Sequence, residues 1–222
     1  MLATRVPEAA ASGQAFLSRS RAVVAVTAGL LTGGFAAWAY YDDHLRPLAH
    51  TFGLWIAMLA LLSAGQRPGR AIVQACLALT AAVIAFFVGK KAMYGVDYPG
   101  MPYAINVSEL MEWLVLAVVA GAVLGWGFAC AGRSGRVGAV RTAAVIGLLV
   151  ADAYRRSTNY PADAPVVVTF AVLAVVAVLA VTVRSWRQLA LVAGCTVPAA
   201  FVGLLLVSVP DVLEQLLITG GV

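Results

Sequence analysis

GKKAMYGVDYPGMPYAINVSELMEW, residues 89–113, is the longest polar interruption in an otherwise apolar chain. It holds two lysines, two glutamates, an aspartate, three tyrosines and a tryptophan. A long hydrophobic run precedes it and another follows, which makes it the main loop on one face of a membrane protein. Its position fixes how the neighbouring runs must sit.

The surrounding composition demands a lipid solvent. Of 222 residues, 62% are hydrophobic and 11% charged, and the mean hydropathy is +0.92. Soluble domains carry about 25% charged residues, and a core of this size cannot hide so much apolar surface from water. About 20 apolar residues span a bilayer core of about 30 Å as a helix, and several such runs occur. The predicted fold is therefore an all-α, polytopic transmembrane helix bundle of about seven spans. It divides into a flexible tail (residues 1–21), one transmembrane domain (22–209) and a short interfacial tail (210–222).

The spans are expected at residues 22–41, 48–64, 71–94, 106–131, 141–152, 165–183 and 189–209. The first also fits a secretory leader with Ala37-Trp38-Ala39 as a small-x-small cleavage site, but its length and aromatic end suit an anchored helix. Asn106 and Glu109 form a capping-box-like start for the fourth. Between Arg141 and Asp152 the fifth has only ten uncharged residues, about 15 Å of helix, so its charges must snorkel or sit below an interface. Pro198 should kink the seventh.

Charge placement orients the bundle. The first tail and alternate connections carry Arg5, Arg19, Arg21, Arg67, Arg70, Arg133, Arg136, Arg141, Arg184 and Arg187, with Glu8 the lone anion. The other face carries five cations, Arg46, Lys90, Lys91, Arg155 and Arg156, and nine acids. This bias puts the N-terminus in the cytoplasm. A bacterial plasma membrane is the expected location, with lipid as the main partner. The scattered basic clusters argue against nucleic acid.

Chemistry-bearing residues gather on the outer face. The candidate ligand-binding set is Lys90, Lys91, Tyr94, Glu109, Glu112, Trp113, Asp152, Arg155 and Arg156. Ionisable groups within spans are candidates by default, and Asp152 leads because its span has no length to spare. Each also has a structural account: Glu109 and Glu112 complement a helix N-terminus, Lys90 and Lys91 a C-terminus, and Asp152 can pair with Arg155 or Arg156 at i+3 and i+4.

No catalytic, cofactor or metal motif stands out, so an enzyme is not expected. His44 and His50 lack the i,i+4 spacing of helical metal ligands, Gly132-Arg133-Ser134-Gly135 is not a nucleophile elbow, and Cys76, Cys130 and Cys195 lack CxxC spacing. Gly29, Gly33 and Ala37, and Gly121 and Gly125, form small-residue faces suited to close helix packing. Such faces serve folding, self-association or a second membrane subunit equally well.

The chain resembles an uncharacterised actinobacterial family of small multi-pass integral membrane proteins. Gly53-Leu54-Trp55, the Arg67-Pro68-Gly69-Arg70 turn, Tyr94, the glycine-rich fourth span and the polar stretch from Asp152 to Arg156 carry the resemblance. It covers residues 48–210, with the first span additional. It implies no activity and no site. Two functions follow: a small-solute binding or transport component with an outward-facing polar site, or a structural membrane subunit.

Overall fold

The computed structural model describes residues 8–218, with side chains from 20 to 209. Its helices are α1 (Glu8–Ala39), α2 (Arg46–Ala49), α3 (Gly53–Ser63), α4 (Pro68–Asp97), α5 (Val107–Phe128), α6 (Arg136–Asn159), α7 (Ala164–Thr182) and α8 (Trp186–Ile218). A single 3-10 turn, Pro161–Asp163, precedes α7, and the described residues contain no strand. Six helices are long and apolar enough to cross a membrane, whereas α3 has 11 residues.

Glycines set the pairing of the helices. A Cβ on Gly29 would overlap the carbonyl oxygen of Ala78, and one on Gly33 that of Ala82, while Gly89 faces Ala37. Contacts that advance together along both chains make α1 and α4 parallel. Gly147 of α6 meets Ala199 and Ala200, and Gly203 of α8 meets Gly147, Leu148 and Ala151, so α6 and α8 are also parallel. Gly121 against Cys76 and Gly125 against Ala71 run the other way, which makes α4 and α5 antiparallel. The absent side chains let backbones meet, the usual device where lipid supplies no hydrophobic drive between helices.

Parallel α1 and α4 require the chain to cross back between them. Only α3 and the irregular residues before it are available, and 11 residues rise about 16 Å, half a bilayer core. The expected second span is thus a half-helix with a broken lead-in, and the chain still traverses the bundle seven times. The basic connections share one end: Gly65 N–H donates to Ala131 O at 2.8 Å, Cys130 N–H to Gln66 O at 3.2 Å, and Gln188 Nε2 to Arg133 O at 3.5 Å. Trp126 and Trp186 are exposed at this end and Trp38 and Trp113 at the other, the pattern of interfacial aromatic belts.

Several expected boundaries move. Helix α1 begins at Glu8, inside the expected tail, and α8 runs through Pro198 and Pro210 to Ile218; residues 1–7 and 219–222 lie outside the described residues. The loop expected over 89–113 shrinks to residues 98–106, since α4 continues to Asp97 and Asn106 Oδ1 caps α5 by accepting from Glu109 N–H at 3.3 Å.

The fifth span is corrected most. Helix α6 has 24 residues and is the most buried of the six long helices, so protein rather than lipid surrounds its charges. The guanidinium of Arg141 reaches the end of α5. It donates to the carbonyls of Trp126 and Ala129, the latter at 2.9 Å, and lies 4.9 Å from the Trp126 ring. It thereby satisfies carbonyls that the end of α5 leaves without helical partners.

Candidate functional site

Asp152 stands in the middle of the bundle, 1% exposed. Its partner is the break before α3. Helix α2 ends at Ala49, and the irregular residues that follow leave the first amides of α3 without helical acceptors, a defect that must be answered inside a membrane protein. Thr51 Oγ1 accepts from Gly53 N–H at 3.1 Å and donates its own proton to Asp152 Oδ2. Thr51 therefore caps α3 and ties it to a carboxylate 101 residues away, and a carboxylate suits the positive end of a helix. The guanidinium of Arg155 lies 3.7 Å from Asp152 Oδ1 and 5.3 Å from the Phe52 ring, which balances the buried charge.

A second cluster lies at the outer end, where α1, α2, α4 and α6 meet. The Lys90 ammonium lies 4.1 Å from the Tyr40 ring centroid and 5.4 Å from that of Phe86. Among the described residues it meets no carboxylate. Tyr40 also packs against His50, ring centroids 5.3 Å apart, and its carbonyl accepts from Arg46 Nε at 3.2 Å. Arg156 is held by Asp163, Nε to Oδ2 at 2.8 Å, and stacks 3.9 Å from the Tyr160 ring. Burial of one side of the His50 ring, followed by the charges of Arg156, Lys90 and Arg46, lowers its pKa below the usual imidazole value. Burial also raises the pKa of Tyr41, helped by Tyr103, Tyr40, Asp97 and Tyr94, and its hydroxyl donates to Lys90 O at 3.2 Å.

A family model described as a family of unknown function, DUF6518, matches residues 14–213. The chain belongs to that family. The match takes in most of α1, so the first span is part of the DUF6518 domain and not an addition to a domain beginning at residue 48. No curated protein and no solved structure matches the chain.

The structure divides the nine candidate residues of this DUF6518 protein. Asp152 and Arg155 meet beside the start of α3, Lys90 and His50 share the Tyr40 ring in the outer cluster, and Arg156 pairs with Asp163. Tyr94 stacks on Tyr98 and Tyr103, centroids 4.8 and 5.0 Å apart. Lys91, Glu109, Glu112 and Trp113 are exposed and are not drawn into either cluster. Thr51, Tyr40, His50, Phe52 and Phe86 are the participants that sequence reasoning missed. For Thr51 a signal existed, since Thr-x-Gly after a proline-containing turn is a plausible N-cap. Among the described residues no three His, Cys, Asp or Glu side chains gather as a metal set.

Proposed function

We propose that this protein is a small-solute binding or transport component of the membrane whose solute carries an anionic group, bound at the outer cluster of Tyr40, His50 and Lys90. One observation supports this most: among the described residues the Lys90 ammonium sits against aromatic faces with no carboxylate beside it, and it shares the Tyr40 ring with the His50 imidazole. A phosphate or carboxylate would supply the missing negative charge, and the rings would exclude water and strengthen the attraction. The same positive-inside bias that orients the chain puts this cluster outside and the N-terminus in the cytoplasm. The bacterial plasma membrane is the location that goes with it, and no step of chemical conversion is assigned.

The test is binding by the detergent-purified protein. Native mass spectrometry reports any retained molecule, and calorimetry with inorganic phosphate and with benzoate as probes gives the affinity. Nanodiscs of anionic or neutral lipid separate a headgroup from a free anion. Lys90→Gln should weaken binding at least tenfold and Lys91→Gln should leave it unchanged. Equal loss in both, or a co-purifying subunit with no retained anion, would favour the structural-subunit alternative.

A further inference from the structure

Two halves of the chain repeat one plan. In the first, α1 and α4 are parallel and meet through Gly29 and Gly33 on α1; in the second, α6 and α8 are parallel and meet through Gly147 on α6 and Gly203 on α8. In each, the intervening helix, α3 or α7, returns the chain. In each, the third helix opens on a basic turn with arginines three apart, Arg67 and Arg70 in one, Arg184 and Arg187 in the other. Both turns lie at the same end of the bundle, tied to the α5–α6 connection by the Gly65–Ala131 and Gln188–Arg133 hydrogen bonds. Helix α5 is the single crossing that puts the two units in the same orientation. Its pairing with α4, through Gly121 and Gly125, groups it with the first unit, so the seam between units runs along α3, α5, α6 and α7, with Arg141 of α6 held by carbonyls at the end of α5.

That seam is where the polar residues are. Asp152 and Arg155 belong to the second unit, whereas Thr51 and Phe52 belong to the first. Helix α2, which carries Arg46 of the outer cluster, likewise meets α7 of the second unit. Gly53 faces the Phe170 ring of α7, which a Cβ would approach to 3.1 Å. Repeated units with a broken helix at their junction are the build of membrane carriers that expose one site alternately to the two sides.

We infer that the protein is an alternating-access carrier. Its two units, α1–α3–α4 with α5 and α6–α7–α8, rock against each other, and the Thr51–Asp152 and Phe52–Arg155 contacts form the outer closure. Solute enters at the outer cluster and passes along the α3–α6–α7 part of the seam. This builds on the outer cluster as the solute site, but the movement can be read without a solute.

The experiment is a distance measurement by double electron–electron resonance on the full chain in nanodiscs, with Cys76, Cys130 and Cys195 replaced by serine. Val96→Cys with Asn159→Cys reports the outer ends of the two units, and Arg70→Cys with Arg187→Cys the inner ends; all four positions are exposed. Two outer populations are expected in the otherwise native protein. Thr51→Val and Asp152→Leu should each raise the longer outer distance about tenfold relative to the shorter, as loss of one buried hydrogen bond implies, while the inner distance shortens. Thr51→Ser should restore the native ratio. One unchanged outer distance in all variants, or outer and inner ends loosening together, would overturn the carrier. Opposed movement without phosphate or benzoate binding would leave the carrier and remove the anion site; binding with a single distance would do the reverse.

Discussion

Thr51 and Asp152 join the start of a half-length helix to the centre of the most buried long one. The hydroxyl accepts the Gly53 amide and donates to the carboxylate, so one side chain serves both as a local cap and as a tether. Thr51→Val removes the hydroxyl in both roles, leaving a buried carboxylate short of a partner and the Gly53 amide uncapped. A loss of about 1–3 kcal/mol is expected, read as a lower midpoint of unfolding in mixed detergent. Asp152→Ala should cost a similar amount, because it takes the acceptor from the buried Thr51 hydroxyl and the opposite charge from beside Arg155.

Adjacent glycines of α1 provide a matched pair. A methyl on Gly33 would overlap the Ala82 backbone, while one on Gly34 meets nothing within 4 Å. Gly33→Ala should therefore destabilise by about 1–3 kcal/mol through overpacking, and Gly34→Ala should be neutral or stabilising by about 0.5–1 kcal/mol through helix entropy. Thermal unfolding of the two variants side by side decides it; equal midpoints would mean that α1 does not sit against α4 as described.

Arg141 holds the end of α5 through two carbonyls. Arg141→Met keeps much of the stem but removes the donors, and the loss should be about 1.5–3 kcal/mol, the range for hydrogen bonds to a charged group. Hydrogen exchange should speed up at Ala129 and Cys130 more than elsewhere. Uniform exchange across α5 would place the stabilisation elsewhere.

His50 gives a pH dependence with a definite sign. Its folded-state pKa lies below the unfolded value of about 6.5, so over the interval between the two the unfolded chain binds more protons. Stability is then complete above about pH 6.5 and falls as pH drops through that interval. His50→Gln should flatten this slope in a comparison of unfolding midpoints at about pH 8 and about pH 5.5. A steeper slope in the variant would contradict the cationic surroundings of His50.

The all-α bundle and its six long apolar helices were legible because hydropathy acts over some 20 residues. The Asn106 cap was legible because its hydrogen bond is local. Helix α6 was not, since a count of apolar residues between Arg141 and Asp152 assumes lipid around the helix, and here Trp126, Ala129 and Thr51 answer the charges from other helices. The outer cluster was half legible. Lys90 and Arg156 stood out as charges on an apolar background, whereas Tyr40 and His50 become partners only when α1, α2 and α4 end together. The loop over 89–113 looked larger than it is because a polar helix end and a true turn have similar composition.

The parallel seams also bear on how the chain is made. Segments reach the membrane in order from the N-terminus, so α1 must wait, its glycine face uncovered, until α4 has been synthesised. Helix α6, with a less apolar sequence than the other five long helices, comes late, when Thr51 and the α5 carbonyls are already in place to receive Asp152 and Arg141. The costliest helix is thus delivered to partners that precede it, and its seam with α8 closes last.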